Sequence, residues 1–358
     1  MRFNLEVPIN PLSLGQIGFG ILLDLFKRGI NPNIFPIGPV QLNSFNIPPQ
    51  FENWLKENIS NSLERYKKSD TTITLWHING SHKRLSDKTI LWTAHETDQL
   101  TETEKNILLM YDQVLVTSSY SKNVFQESGV NADVCFNFFD KHHFHKVERE
   151  YKGFEDVTTY SLIGKMEKRK LTIPIILAWA KCFGGSHKHR LNCSIHNHFM
   201  KPEQQQQMIE NNFGGQVPFN INILPFTEKN SKFNEVMNAA DVDLSGLSGA
   251  EGWNLPHFNM LCLGKQAISL DEHAHRDYTG ESGAKLVSPL RKQEIYDGMF
   301  FKKGDKFNQG NMFTWREDEV IKSILEIDKV AKERNTDGEK LKDKFTVEFT
   351  VDKLLSYV

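Results

Sequence analysis

The chain has 358 residues, 39% hydrophobic and 25% charged, with 25 Phe and 6 Trp; this length fits two domains and this composition excludes wholesale disorder. Lys and Arg (43) balance Asp and Glu (45) to a formal net charge of -2, so no global field draws the molecule to nucleic acid or anionic lipid. Cys135, Cys182, Cys193 and Cys262 form no C-x-x-C pair, which argues against a zinc ribbon or a disulfide framework and predicts reduced core thiols.

In the first half, apolar runs at 72–76, 89–93 and 113–117 read as strands. They alternate with helical patterns at 51–66 and 121–128, the second closed by Gly129, where a helix end favours glycine. A mixed-charge stretch at 141–156 is the linker candidate. Beyond it come strands at 159–163, 190–195, 220–224, 242–245 and 266–270, a helix at 173–183, and helical patterns at 317–334 and 352–358. This alternation is the signature of parallel βαβ units. The expected organisation is two doubly wound halves, 1–150 and 151–335, with a helical segment at 336–358 that packs back toward the first. No apolar run approaches the ~18 residues of a membrane span. Glu6 and Pro8 interrupt the start where a signal peptide needs a continuous apolar stretch, so a cytoplasmic protein is expected.

Two segments carry chemistry. The strand at 242–245 runs into Gly249-Ala250-Glu251-Gly252-Trp253-Asn254-Leu255-Pro256, a strand, a glycine-bearing loop and a helix whose first turn accepts proline. Such a helix start offers unpaired N–H groups to a phosphate or sugar oxygen, although an ordinary strand-to-helix turn would look the same. The strand at 159–163 runs into Gly164-Lys165-Met166-Glu167-Lys168-Arg169-Lys170. This is either a solvated basic loop or a set of cations placed to neutralise a diphosphate; with the first segment it makes an anion cradle. Asp241-Val242-Asp243 reads as a buried strand and not a cation site. His142-His143-Phe144-His145 and His187-Lys188-His189 read as solvated loops without a ligand set. No metal site is expected.

In order and spacing these motifs resemble the retaining nucleotide-sugar glycosyltransferases of the GT-B fold, in the group whose donor loop reads E-G-[FW]-x-L-P. Asn10 to Gly18 is similar to that family's N-terminal glycine loop, and Trp92-Thr93-Ala94-His95 to its strand ending in an active-site histidine. Phe136-Asn137-Phe138-Phe139-Asp140 with Phe144 resembles its linker motif, and Gly283-Ala284-Lys285-Leu286-Val287 its late N-G-x-L-V turn. The resemblance implies an α/β protein of two facing Rossmann-like domains, acceptor side first and donor side second, with the donor in the cleft between them.

Carried over residue by residue, it implies that Lys165 and Lys170 hold the donor diphosphate, Lys165 standing where the family usually has arginine. Glu251 would bond hydroxyls of the transferred sugar, and backbone amides of Gly252, Trp253, Asn254 and Leu255 would meet the phosphate or the sugar. Asn259 would replace the family's second glutamate at the ribose. His95 would sit across the cleft near the reacting sugar, while Gly15, Gly18 and Gly164 would allow close approach of backbone to phosphate. The reaction implied is front-face displacement, with the leaving diphosphate helping to deprotonate the acceptor; no metal or other cofactor is implied. The acceptor is open between a glycan, a lipid-linked saccharide and a hydroxymethylated base in phage DNA, without stable membrane insertion, in a bacterial or phage-infected cytoplasm. For DNA, the basic clusters at His82-Lys83-Arg84, 141–146 and 187–190 would hold the backbone. Two alternatives stand beside this reading: a sugar-nucleotide-binding protein without transfer, motivated by Lys165 and Asn259, and another GT-B enzyme such as an epimerase or phosphorylase. The stretch between Val287 and Trp315, rich in Lys, Gly and aromatics, is longer than the family turn and reads as a hairpin flanking the cleft.

Overall fold

The computed structural model describes residues 2–147 and 156–358, so half of the linker candidate at 141–156, residues 148–155, lies outside the described residues. The first sheet contains β1 (Asn4–Val7), β2 (Asn33–Pro36), β3 (Thr72–Leu75), β4 (Thr89–Thr93), β5 (Gln113–Val116) and β6 (Asp133–Val134). Its spatial order is β2-β1-β3-β4-β5-β6, and every pairing is parallel. All residues of β3 and β4 are buried, as expected of parallel strands covered on both faces. The apolar-run reading finds these central strands and passes over β1 and β2, which begin with asparagine. Asn4 is buried all the same: its amide donates to Thr72 Oγ1 (3.1 Å) and Ser86 Oγ (3.0 Å), and its carbonyl accepts from Asn33 (2.8 Å). A fully bonded polar ladder can occupy a core position that an apolar pattern does not reveal.

The second sheet contains β7 (Thr158–Ile163), β8 (His189–Ser194), β9 (Ile221–Ile223), β10 (Val242–Gly246), β11 (Gln266–Leu270) and β12 (Lys285–Val287). It is also parallel throughout, in the order β12-β11-β10-β7-β8-β9. Strand order reverses between β1 and β3 in one sheet and between β7 and β10 in the other. Crevices at the carboxyl ends of such strands are where ligands bind in open α/β sheets, and both motif segments leave from β7 and β10. The expected hairpin is present as β13 (Arg291–Glu294) and β14 (Asn311–Thr314), paired antiparallel.

Several local expectations change. Gly15 and Gly18 lie inside the helix Ser13–Lys27, not in a loop. A Cβ on Gly15 would stand 2.2 Å from the Asn10 carbonyl oxygen, and one on Gly18 2.3 Å from that of Pro8. These glycines let the helix lie directly on the chain that leaves β1. The pattern at 51–66 is split into Phe51–Ser60 and Ser62–Arg65, and that at 317–334 ends early, as Glu317–Asp328. Helix Ser119–Glu127 is capped by the Ser118 hydroxyl, which accepts from Ser121 N (3.2 Å), and Gly129 follows at φ +78°. In the last segment, Thr336–Lys344 packs on the helix Leu255–Cys262, while Val347–Leu355 returns to Ser13–Lys27 and places Val351 and Leu354 in the first core. The chain thus crosses between the sheets twice, and the crossings touch where Phe139 N donates to Phe345 O (2.9 Å). Among the described residues no helix is long and apolar enough to cross a membrane.

Candidate functional site

β7 delivers Gly164 at φ +148°, a conformation suited to glycine, and the chain then turns through Lys168–Lys170 into the helix Thr172–Phe183. The four cations of this loop have different fates. Lys165 stays 38% exposed with its ammonium 3.9 Å from Glu167 and over the rings of Phe199 and Phe300, at 5.7 and 5.3 Å from their centroids; burial lowers its pKa. Lys168 turns away and donates to the carbonyls of Glu294 (2.8 Å) and Tyr296 (3.0 Å) in the hairpin. Lys170 forms an ion pair with Glu251. Arg169 is buried: Nη1 donates to Ala250 O (2.8 Å) and Glu251 Oε2 (3.1 Å). Its Nε lies 2.9 Å from Glu167, and its Nη2 3.2 Å from Glu96.

The second loop is locked onto the first. Gly249 N donates to Arg169 O (2.8 Å), and Gly249 O accepts from Phe313 N of β14 (2.8 Å). Glu251, 3% exposed, is pushed up by burial, but Lys170 and Arg169 outweigh this and hold its pKa down at about 2. Beyond it the side chains and carbonyls of the loop are taken up by the protein itself. Gly252 meets the first sheet: its carbonyl accepts from Thr117 Oγ1 (2.7 Å), and a Cβ there would stand 2.9 Å from that of Ala94. Trp253 is core, packed among Phe136, Phe258, Tyr278 and Phe345. Asn254, at φ +71°, uses its amide on Ser245 O (2.9 Å) and precedes the helix Leu255–Cys262, which carries Pro256 in its first turn.

On the facing side, His95 is 5% exposed, and its Nε2 lies 3.0 Å from Thr97 Oγ1 and 3.1 Å from Gln99 O. The ring rests on Phe125 and burial lowers its pKa, so the imidazole is committed to its own loop. What β4 presents across the junction is Glu96, which meets Arg169. His77, just past β3, is open to solvent and lies within reach of the charges of Glu96, Lys165 and Arg169. Arg169, Glu96 and His77 escaped the sequence reading. Arg169 lies within the quoted basic motif and Glu96 directly follows His95, but spacing does not tell which member of a charged run faces inward.

Between the sheets lies a cavity of about 220 Å³. Gln16 and Ile17 line it from the first domain, and Ser194, Phe226, Leu255 and Asn259 from the second; Glu251, Lys165 and Lys170 do not. Asn259 is 5% exposed and its Oδ1 has no partner, an oxygen available to a donor in the cavity. Gln16 and Asn230 close the cavity side with reciprocal amide bonds, 2.8 Å each way.

Other clusters are engaged elsewhere. Asp243 binds His257 Nδ1 (2.7 Å), and Asp241 accepts from Thr159 N (2.8 Å) and Lys332 (2.7 Å). His143, expected in a solvated loop, is fully buried between Asp140 (2.6 Å) and Asn46 N (3.0 Å). His189 stacks on Phe183 at 3.8 Å. Among the described residues no group of three His, Cys, Asp or Glu side chains converges to hold a metal ion. The basic clusters do not form one path: 187–190 lies at the amino end of β8, and Arg84 binds Asp112 (2.7 Å) beside the amino ends of β4 and β5. Both are at the opposite edge of their sheets from the junction.

No protein-family model and no curated protein matches the sequence. Solved structures match over the whole chain. Sucrose-phosphate synthase from Thermosynechococcus elongatus superposes with a TM-score of 0.68 at 12% identity, covering 99% of this chain and 98% of that one. Anabaena HepE in complex with UDP-glucose gives 0.65 at 12% identity, with 100% of both chains covered. The trehalose-6-phosphate synthase OtsA gives 0.66 at 11%, covering 99% and 98%. The chain therefore has the GT-B fold, two facing Rossmann-like domains with the Glu251 loop at their junction.

Proposed function

We propose that this protein transfers a sugar, with retention of configuration, from a nucleoside-diphosphate sugar to a saccharide hydroxyl. The observation that carries the reading is Glu251: a buried carboxylate kept ionised by Lys170 and Arg169 at the strand-order reversal between β7 and β10. Such a group is fixed before substrate arrives and accepts hydrogen bonds from sugar hydroxyls without reorganising. The HepE structure with UDP-glucose supports a donor of this class.

In this reading the cavity takes the nucleoside, with Asn259 Oδ1 as acceptor for a ribose hydroxyl. Lys165 and Lys170, with the amides that open the helix Leu255–Cys262, stabilise the departing diphosphate. The diphosphate oxygen takes the proton of the attacking hydroxyl, so no protein nucleophile is required, and the protein contributes positioning and electrostatic stabilisation. His77, facing the cations from β3, stands on the acceptor side; His95 supports the loop that carries Glu96. A saccharide is favoured over DNA because two of the three basic clusters sit at the far edges of the sheets.

The test is nucleoside-diphosphate release from a panel of sugar nucleotides, with saccharide acceptors or hydroxymethylcytosine DNA, and with chelator in parallel. Release that rises with a saccharide, ignores DNA and survives the chelator is expected. Binding of sugar nucleotides without release would instead identify a non-transferring binding protein.

A further inference from the structure

We infer that Arg169 is a positioning residue that makes the orientation of Glu251 depend on closure of the first domain, through the pair Glu96–Arg169. The consequence for turnover rests on the function proposed above; the structural coupling does not. A guanidinium presents its N–H groups in one rigid plane. Here Nη1 serves Ala250 O and Glu251 in the second domain, while Nη2 serves Glu96 in the first. Arg169 O also receives Gly249 N (2.8 Å), so backbone and side chain of one residue hold the same loop at both ends. A shift of Glu96 therefore rotates the fork that aims Glu251, whereas lysine could not span both partners.

The charges support this coupling. Lys165, Arg169 and Lys170 face Glu96, Glu167 and Glu251, three of each sign. Lys168 is turned out to the hairpin carbonyls. Glu96 is the one member of this set supplied by the first domain. Withdrawing it leaves an excess positive charge on a guanidinium buried beside Glu251, and a buried charge without its partner is costly. Glu96 thus completes, from the first domain, an arrangement that Lys170, Glu167 and the Gly249–Arg169 backbone bond begin in the second.

The experiment uses Glu96→Gln, Glu96→Ala, Arg169→Lys and the double variant Glu96→Ala/Arg169→Lys in the full chain, read in two ways. Hydrogen exchange of the 244–255 segment should quicken at least about threefold in Glu96→Gln, although that residue lies in the other domain, because a loop held by fewer bonds opens more often. In turnover, kcat should fall about tenfold in Glu96→Ala and about a hundredfold in Arg169→Lys with KM for the donor nearly constant, as for misplacement of a reacting group. The Glu96→Ala effect should vanish in the Arg169→Lys background. Unchanged exchange at 244–255 with faster exchange confined to 94–101 would overturn the coupling. So would additive kinetic effects. If the wild-type protein releases no nucleoside diphosphate from any donor, the proposed function fails, while the exchange comparison still decides the coupling. If Arg169→Lys does not fold, Glu96→Gln carries the same comparison, since Glu96 is 31% exposed.

Discussion

The two domains meet along two seams of opposite chemistry. At the Glu251 loop the seam is ionic: Glu96 meets Arg169, and Asp98 meets Lys292 (2.9 Å) and Asn311 N (2.8 Å) of the hairpin. At the cavity it rests chiefly on neutral groups, the Gln16–Asn230 amide pair and Asn230 N on Ser44 O (2.9 Å), with Asn43 donating to the exposed Glu228 beside them. Removing Glu96 or Glu251 from the first seam strands the buried Arg169 guanidinium without a partner, whereas the second loses only hydrogen bonds. The difference teaches that the side proposed to hold the reacting sugar is rigid and charge-sensitive, and the side proposed to hold the nucleoside is adaptable.

The hardest way to break this contrast is Glu251→Ala. Glu251 is the counter-ion of Lys170 and Arg169. Loss of transfer should come with loss of roughly 3–5 kcal/mol of stability, measured by denaturant unfolding. Glu251→Gln should abolish transfer at a smaller stability cost.

Acid sharpens the contrast without mutation. His273, whose Nε2 lies 3.0 Å from Ser248 O at the foot of the Glu251 loop, is kept neutral by burial, its pKa lowered from 6.5 to about 4. The unfolded chain therefore takes up that proton first, and stability declines as pH falls from 6.5 toward 4. Glu251 is depressed from 4.5 to about 2; its contribution is complete above 4.5 and disappears as pH falls toward 2, a loss of about 3 kcal/mol by linkage. Thermal midpoints should fall in these two windows, with the fall in the lower one smaller in Glu251→Gln, where Asp133, Asp98 and Asp112 still titrate from depressed values, while Gln16 and Asn230 have no proton to exchange. A midpoint constant from pH 7 to 4 would contradict the assignment for His273.

Gln16→Ala tests the neutral seam. Leaving the Asn230 amide unpaired should cost about 1–2 kcal/mol and weaken nucleoside-diphosphate binding by less than about tenfold, read by calorimetry. An effect as large as that of Glu251→Ala would erase the distinction between the seams. The smallest change is expected for Lys292→Ala, at most about 1 kcal/mol, because that ammonium is 53% exposed and high salt should reproduce its loss in the wild-type protein.

Much of this arrangement is legible in the sequence where burial writes an apolar run. Residues 72–75 and 89–93 are buried strands on both faces, and the two glycine-bearing segments after β7 and β10 announce the junction. Elsewhere, polar residues satisfied by one another conceal core positions. Asn4 and Asn33 open strands as a bonded pair, and His143 disappears into the core because Asp140 and Asn46 N complete its bonds. Direction is the other missing quantity. Lys165, Lys168, Arg169 and Lys170 look alike in sequence, yet one lies over rings, one holds carbonyls, one is buried and one pairs with Glu251. Likewise His95 and His77 both follow parallel strands, and only the turn after each decides which imidazole faces the cleft.

The two side-by-side crossings between the domains have a mechanical consequence. A single connecting strand lets two bodies swing and twist freely; a doubled one, joined at Phe139 and Phe345, leaves a door with one axis. Trp253 sits on that axis, its ring 5.7 Å from Phe136 and 5.4 Å from Phe345, two residues from Glu251. Opening therefore reaches Glu96 and Arg169 chiefly as a change of angle, to which a planar fork is most sensitive, and reaches the rim farthest from Trp253 as travel.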